Sequence, residues 1–352
     1  MANFKKMNYF ILFYYICVSI YTTRISAHTW IESVNLIGPD DKFQDTGYAR
    51  GYTGRTVGIS PDDINTHLLP PNGRNTNEIL SSDLMCKYKQ TKKKPSSKFP
   101  RLSASPNDRI SLTYHENGHV TKFKIDKGKP AGRGTVFIYG TKRSSPNDTY
   151  LAIHRVWNAQ GTGGNGRGKL LATRPFDDGQ CYQNNDEEIT QNRAQKLGFE
   201  NVQESPEVQC QSILSLPSDA GNNGTYTLYW VWEWPTLNES GEIFKNESYT
   251  SCIDIDMMKK NKTTSSRKTL NTESSDSEVS VNSVALKSQL EEKNQFLVDP
   301  RAPPQIASDN PPSEHATSSP TKTNSAHKKS EKGSKHAHNY KRGLTRASSW
   351  RA

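Results

Sequence analysis

The sequence predicts an all-β fold, an antiparallel sandwich with long loops, on three observations. First, the apolar segments are short and well separated. Strands are expected over Arg109–Tyr114, Gly134–Tyr139, Tyr150–Trp157, Thr225–Trp232 and Thr250–Asp256, each rich in aromatic and β-branched residues. Second, several of them alternate with period two. In the Thr225 segment, Tyr226, Leu228, Trp230 and Trp232 share one face, while Thr225, Thr227, Tyr229 and Val231 share the other. Third, helical periodicity is poor, with Glu187–Leu197 its best instance. Stretches rich in Gly, Asn and Pro, such as Gly161–Gly168, read as loops between strands. Such a pattern favours two packed antiparallel sheets.

Both ends of the chain differ from this middle. Residues 1–27 read as a signal peptide: a short basic start with Lys5 and Lys6, then an apolar run of roughly 13 residues from Tyr9 to Tyr21, short of the ~20 needed to span a bilayer. Cleavage after Ala27 would make His28 the first mature residue, although Ile25 stands where a small residue is favoured. Near Met258 the composition turns to Ser, Thr, Lys, Asn and Pro. Residues 259–352 hold too little apolar surface to offset the entropy of ordering them, so a disordered basic tail is expected. That tail holds roughly 17 Lys/Arg against 9 Asp/Glu, most of the net charge of +10, so the domain at 28–258 is near neutral and no nucleic-acid partner is expected. The chain is expected to be secreted, extracellular or in a cell wall, monomeric and without a transmembrane anchor. Setting aside Cys17, the four cysteines Cys86, Cys181, Cys210 and Cys252 suggest two disulfides with three possible connectivities. Sequons at Asn147, Asn223, Asn238, Asn246 and Asn261 are compatible with a glycosylated surface.

An N-terminal histidine can chelate a metal by itself, through its α-amine and an imidazole nitrogen. Nitrogen donors in a tetragonal arrangement favour Cu(II). A second imidazole must complete such a site, and His67, His115, His119 and His154 are available outside the tail. His119 follows Asn117-Gly118, a tight-turn signal, and is expected at the exposed end of a hairpin or loop. That turn also rules out reading His115 and His119 as a helical zinc pair. His154 is expected to be a packed, hydrogen-bonded strand residue. Other candidate chemistry is weaker. Gly161–Gly168 lacks the Gly-Lys-Ser/Thr ending of a phosphate loop. The Trp-rich strand could stack on sugars, but its alternation favours a core. Nothing orients Asp177-Asp178 or Asp254 and Asp256 as an acid/base pair, and solvation at a turn or strand edge is expected for them.

The mature start His28-Thr-Trp, a second histidine at 119 and the late Tyr249-Thr-Ser-Cys252 resemble the lytic polysaccharide monooxygenases. A longer shared pattern resembles uncharacterised fungal secreted proteins: His28–Glu32, Gly47–Tyr52, Glu116–Thr121, Gly161–Gly168, Thr173–Gly179 and Tyr229–Pro235. The monooxygenase resemblance implies an immunoglobulin/fibronectin-III-like β-sandwich and a copper ion held by His28 and His119. It places Tyr249 at the axial side and Glu247 where it would orient the oxidant. It also implies disulfides Cys86–Cys252 and Cys181–Cys210, an external electron donor, and oxidation of a polysaccharide by O₂ or H₂O₂. A glycan on Asn246 would crowd that site.

The leading expectation is therefore a copper-dependent monooxygenase or peroxygenase cleaving an extracellular polysaccharide. The rivals are a non-catalytic copper-binding protein with the same ligands and a structural or adhesive wall protein that binds glycan. N-terminal sequencing of the secreted protein is expected to read His-Thr-Trp from residue 28. A different first residue removes the chelating terminus.

Overall fold

Two antiparallel sheets face each other, and the reason lies in which side chains need cover. The first sheet has the order β2-β1-β5-β8, from β1 (Ser33–Ile37), β2 (Phe43–Gly47), β5 (Arg109–Tyr114) and β8 (Cys210–Ser215). The second has the order β3-β12-β9-β6-β7, from β3 (Leu68–Leu69), β6 (Thr135–Thr141), β7 (Gly168–Pro175), β9 (Thr225–Glu233) and β12 (Ser248–Met257). The short β4 (Leu102–Ala104) pairs parallel with β12, while β10 (Thr236–Leu237) and β11 (Ile243–Lys245) form a separate hairpin. The structure is a computed structural model and describes residues 28–55, 64–90, 97–122, 127–259 and 298–307, all within one compact unit. The expected signal peptide, the sequon at Asn261 and most of the expected tail lie outside the described residues. Residues 298–307 of that tail lie against the sandwich.

The core between the sheets takes Val34 and Leu36 from β1, Ile110, Leu112 and Tyr114 from β5, and Tyr226, Leu228, Trp230 and Trp232 from β9. The alternate residues Tyr229 and Val231 are buried as well, in a second cluster with Phe137, Tyr139 and Trp157. Strand β9 therefore has no solvent face, and its tryptophans are core rather than a sugar platform. Cover for the outer face comes partly from a segment expected to be a strand. Tyr150–Trp157 instead begins with the short helix α1 (Tyr150–Ile153), which turns Tyr150 and Ile153 onto the outer cluster and leaves Leu151 exposed. The other expected strands and the helix α2 (Glu188–Lys196) are present.

Disulfides Cys86–Cys252 and Cys181–Cys210 are both formed, the first fastening the outer cover to β12 and the second closing the excursion that contains α2. Asp254 of β12 corrects an expectation. It is fully buried rather than solvated at a strand edge, and it receives two 2.7 Å hydrogen bonds from the Arg50 guanidinium. Arg50 reaches it from the Gly47–Tyr52 segment, and Thr227 of β9 adds a third bond at 2.8 Å. Burial pushes the Asp254 carboxyl up, but the Arg50 hydrogen bonds and charge outweigh it and hold it below the usual carboxylate range. A fork-to-fork pair fixes direction as well as distance, so it locks the loop after β2 onto the second sheet. Asp177 and Asp178 are likewise held rather than merely solvated: Arg193 of α2 grips Asp177 at 2.8 and 2.9 Å, and backbone N–H groups of Gln180, Cys181 and Gln211 donate to Asp178.

Removing one partner of a buried pair leaves the other charge unpaired, so Arg50→Met is expected to destabilise the domain by about 3–5 kcal/mol in urea unfolding. Replacing both partners together, as R50M with D254L, is expected to cost less than either single change.

Candidate functional site

At one end of the second sheet, the start of β6, the end of β9 and the start of β12 meet in register, Thr135 opposite Glu233 and Glu233 opposite Ser248. The residues just beyond that end, Trp234 and Glu247, face the loop 116–121. This loop is built by Glu116. Its carboxylate accepts the backbone N–H groups of Val120 at 2.7 Å and Thr121 at 3.2 Å, the Thr121 hydroxyl, and the N–H of Gln183 at 3.3 Å. One buried carboxylate thus satisfies the donors of a tight turn and ties it to the chain leading into α2. Asn117 and Gly118 at the turn have φ of 48° and 84°, the left-handed region where Gly is unstrained and Asn is tolerated.

This geometry corrects the expected placement of His119. The turn is present, but His119 is only 3% exposed. Its ring packs 5.5 Å from that of Trp232 and 5.9 Å from that of Trp234. His119 lines a cavity of about 710 Å³ together with Lys129, Trp234, Glu247 and Tyr249. Three of the four residues singled out by sequence therefore share one cavity. The fourth, His28, is reached by a different route: the Asn117 side-chain amide donates to the His28 carbonyl. Only Gly118 separates Asn117 from His119, so the loop presenting His119 is fastened to residue 28. The following residues seat the segment firmly. The Thr29 hydroxyl donates to the His115 carbonyl at 3.0 Å, Trp30 is buried, and the Ile31 N–H donates to the Ser251 hydroxyl of β12 at 3.1 Å. Glu32 accepts from Tyr52 at 2.7 Å and from Arg55, whose guanidinium lies 5.0 Å from the Trp30 ring centroid.

Tyr249 is buried, stacks on Trp232 at 5.2 Å and donates its hydroxyl to Glu247 Oε1 at 2.8 Å. The other oxygen, Oε2, accepts from Lys129 Nζ at 2.9 Å. Lys129 also donates to the Trp234 carbonyl at 2.9 Å and lies 4.8 Å from that ring's centroid. Sequence reasoning missed Lys129, and nothing around Lys127-Gly-Lys-Pro130 distinguishes it from a surface lysine. It also missed the roles of Glu116 and Asn117, although both stand in the quoted Glu116–Thr121 pattern.

The remaining histidines belong elsewhere. His67 Nε2 lies 3.0 Å from the Leu84 carbonyl, and burial lowers its pKa. His115 lies 3.2 Å from the Gln209 side chain and 4.0 Å from Glu32, again lowered by burial. His154 is packed and hydrogen-bonded, as expected, but it follows α1 rather than lying in a strand. It bridges the Tyr139 hydroxyl and Glu233 Oε1, each at 3.2 Å. The only group of three metal-capable side chains among the described residues, Asp178, Cys181 and Cys210, has both sulfurs in a disulfide. Asn246, the sequon residue beside the site, lines the cavity and donates its side-chain amide to the Asn77 carbonyl at 2.9 Å.

The chain belongs to the family described as Domain of unknown function (DUF7492), which matches residues 25–286. No curated protein matches it. Among solved structures it is similar to a cellulose-active polysaccharide monooxygenase from M. thermophila, at 14% identity and TM-score 0.26 over 66% of this chain and 78% of that one. It is also similar to Cel61B, a glycoside hydrolase family 61 member from Hypocrea jecorina, at 14% identity and TM-score 0.31 over 69% and 84%. A third similarity is to HiLPMO9B, at 13% identity and TM-score 0.30 over 80% and 98%.

Glu233 sets a pH response beside the site. Burial pushes its carboxyl up, but hydrogen bonds from His154 and Arg155 outweigh that and bring it down to about 2, from 4.5 for the free side chain. Because the folded value is the lower one, this contribution is fully present above pH 4.5 and is lost as pH falls through about 2. It amounts to on the order of 3 kcal/mol. Unfolding followed from pH 6 to 2 is expected to show this loss in the native chain and a flatter acid limb in Glu233→Gln.

Proposed function

We propose that this protein is a secreted copper-dependent monooxygenase or peroxygenase that oxidises an extracellular polysaccharide. The observation behind this reading is the tie from Asn117 to residue 28, which fastens the segment beginning at His28 to the loop that aims His119 into the cavity of Glu247 and Tyr249. The donor set fits copper. It offers imidazoles from His28 and His119, and all four cysteines of the described residues are in disulfides, so no thiolate competes. Cleavage before His28 would add an α-amine. Bound copper supplies the one-electron chemistry that lets O₂ or H₂O₂ attack an unactivated C–H bond.

The residues around it have separable duties. Glu116 holds the turn that sets the His119 ring, and the Trp232 and Trp234 rings pack against it, so little reorganisation is left for metal binding. Tyr249 is held in place by stacking on Trp232 and lines the cavity. Its hydroxyl holds the Glu247 carboxylate at the cavity wall, where that carboxylate accepts hydrogen bonds. An external electron donor and a polysaccharide surface complete the requirement. A second reading, a copper-binding protein without turnover, draws on one observation: both Glu247 oxygens are already engaged, one by Tyr249 and one by Lys129.

The test uses mature protein loaded with one equivalent of Cu(II), a reductant and a panel of cellulose, chitin, xylan, glucan and pectin, with products read by mass spectrometry. Oxidised oligosaccharides that require reductant and vanish in His119→Ala support the enzyme. Asn117→Ala is expected to weaken copper binding by about 10–100-fold, the usual effect of losing a partner that orients a ligand. Tight 1:1 copper binding without products favours the second reading. Absence of competitive copper binding refutes both and leaves a glycan-binding wall protein.

A further inference from the structure

Residues 298–307 lie beyond the family-matched stretch, in a segment whose composition predicts no fold, yet they run along the sandwich. Their exposure alternates. Val298, Pro300, Ala302 and Pro304 are half-buried, while Asp299, Arg301, Pro303 and Gln305 are exposed. One side of the segment therefore faces the sandwich, with a turn at Asp299–Ala302, where the Ala302 N–H donates to the Asp299 carbonyl at 3.1 Å, ahead of the straighter stretch that follows. Three prolines at 300, 303 and 304 restrict the backbone beforehand, which lowers the entropy lost on docking.

The contacts along the segment are specific. At its start, the Thr173 hydroxyl of β7 bonds to the Val298 carbonyl. In the middle, the Arg155 guanidinium donates to the Pro300 carbonyl at 3.0 Å while gripping Glu233 at 2.6 and 3.0 Å. At its end, the Ala131 N–H donates to the Gln305 carbonyl at 2.7 Å and the Ala307 N–H donates to the Lys129 carbonyl at 3.1 Å, an antiparallel bridge of Pro130 with Ile306. On the other side of the same stretch, the Leu237 N–H donates to the Gly128 carbonyl at 2.7 Å. The backbone of 128–131 is therefore clasped between β10 and the segment, and from it the Lys129 ammonium reaches Glu247 and the Trp234 carbonyl.

We propose that residues 298–307 are an intrachain strap that positions Lys129 against Glu247. Lys129 is a positioning residue: it fixes one oxygen of the carboxylate from the strap's side while Tyr249 fixes the other. The consequence for activity rests on Glu247 belonging to the proposed site; the strap itself does not. Release of the segment, by proteolysis within 260–297 or by a competing partner for its proline-rich face, would loosen the carboxylate while leaving the histidines in place.

The experiment measures acylation of individual lysines in the metal-free, full-length secreted protein with an amine-reactive acetyl ester, read by peptide mass spectrometry. Lys169, ion-paired with Asp219 on the surface, is the internal reference. Two variants release the strap without touching the cavity: Thr173→Val with Ala307→Pro, and a full-length chain with residues 298–307 scrambled in place. In both, Lys129 labelling relative to Lys169 is expected to rise about tenfold or more, as for a locally opened segment. Excess synthetic peptide of residues 298–307 is expected to restore protection to the scrambled chain. Unchanged Lys129 labelling in the scrambled chain overturns the proposal. Because no metal is present, that failure is distinct from failure of the copper reading, which the product assay reports.

Discussion

Strand β9 is buried on both faces, and most of the architecture follows from that. Its inner face of Tyr226, Leu228, Trp230 and Trp232 needs the first sheet as cover, and its outer face of Tyr229 and Val231 needs a third layer. Fully burying one such side chain contributes roughly 1.5–3 kcal/mol, so leaving either face open would forfeit a large part of a domain's net stability. The outer layer is assembled from α1, the Trp157 loop and the chain around Met85 and Cys86, with the Cys86–Cys252 disulfide fastening it to the neighbouring strand. At its far end, β9 runs out into Trp234, which with Trp232 packs the wall against which the His119 ring rests. The candidate site is thus an end-product of core packing rather than a feature set on a flexible loop.

Buried charge completes the frame. Asp254, Glu116, Glu233 and Glu247 each lie at a junction between chain segments distant in sequence, and each is met by a fork, a set of N–H groups or an ammonium. A buried carboxylate is costly unless its lone pairs are used, so each partner is held to a narrow range of directions. Two of these junctions bear directly on the cavity: Glu116 shapes the His119 turn, and Glu247 joins Tyr249 to Lys129.

Much of this was legible in the sequence. Short, separated aromatic and β-branched segments, several of them alternating with period two, predict four strands that are present and the core role of the tryptophans, and both disulfides follow the pairing implied by the family resemblance. The Tyr150–Trp157 error has a physical cause: a short apolar run looks the same whether it joins a sheet or covers one. The Asn117-Gly118 signal predicts the turn at His119 but not its burial, because it reports backbone curvature and not what lies above it. Asp254 was misjudged for the converse reason. Its partner Arg50 is 204 residues away, and no local pattern announces it. Lys129 is invisible because its partner Glu247 is 118 residues away, and the docked segment at 298–307 because it is held largely through its own backbone carbonyls, which any residue offers.

The central claim is that residue 28 and His119 hold one copper between them. Its most direct test is electron paramagnetic resonance of the mature protein with one equivalent of Cu(II). The account predicts a single tetragonal signal with nitrogen hyperfine structure that changes in both His119→Ala and His28→Ala. A copper spectrum indifferent to His119, or one recorded equally well on a chain that does not begin at His28, would contradict it.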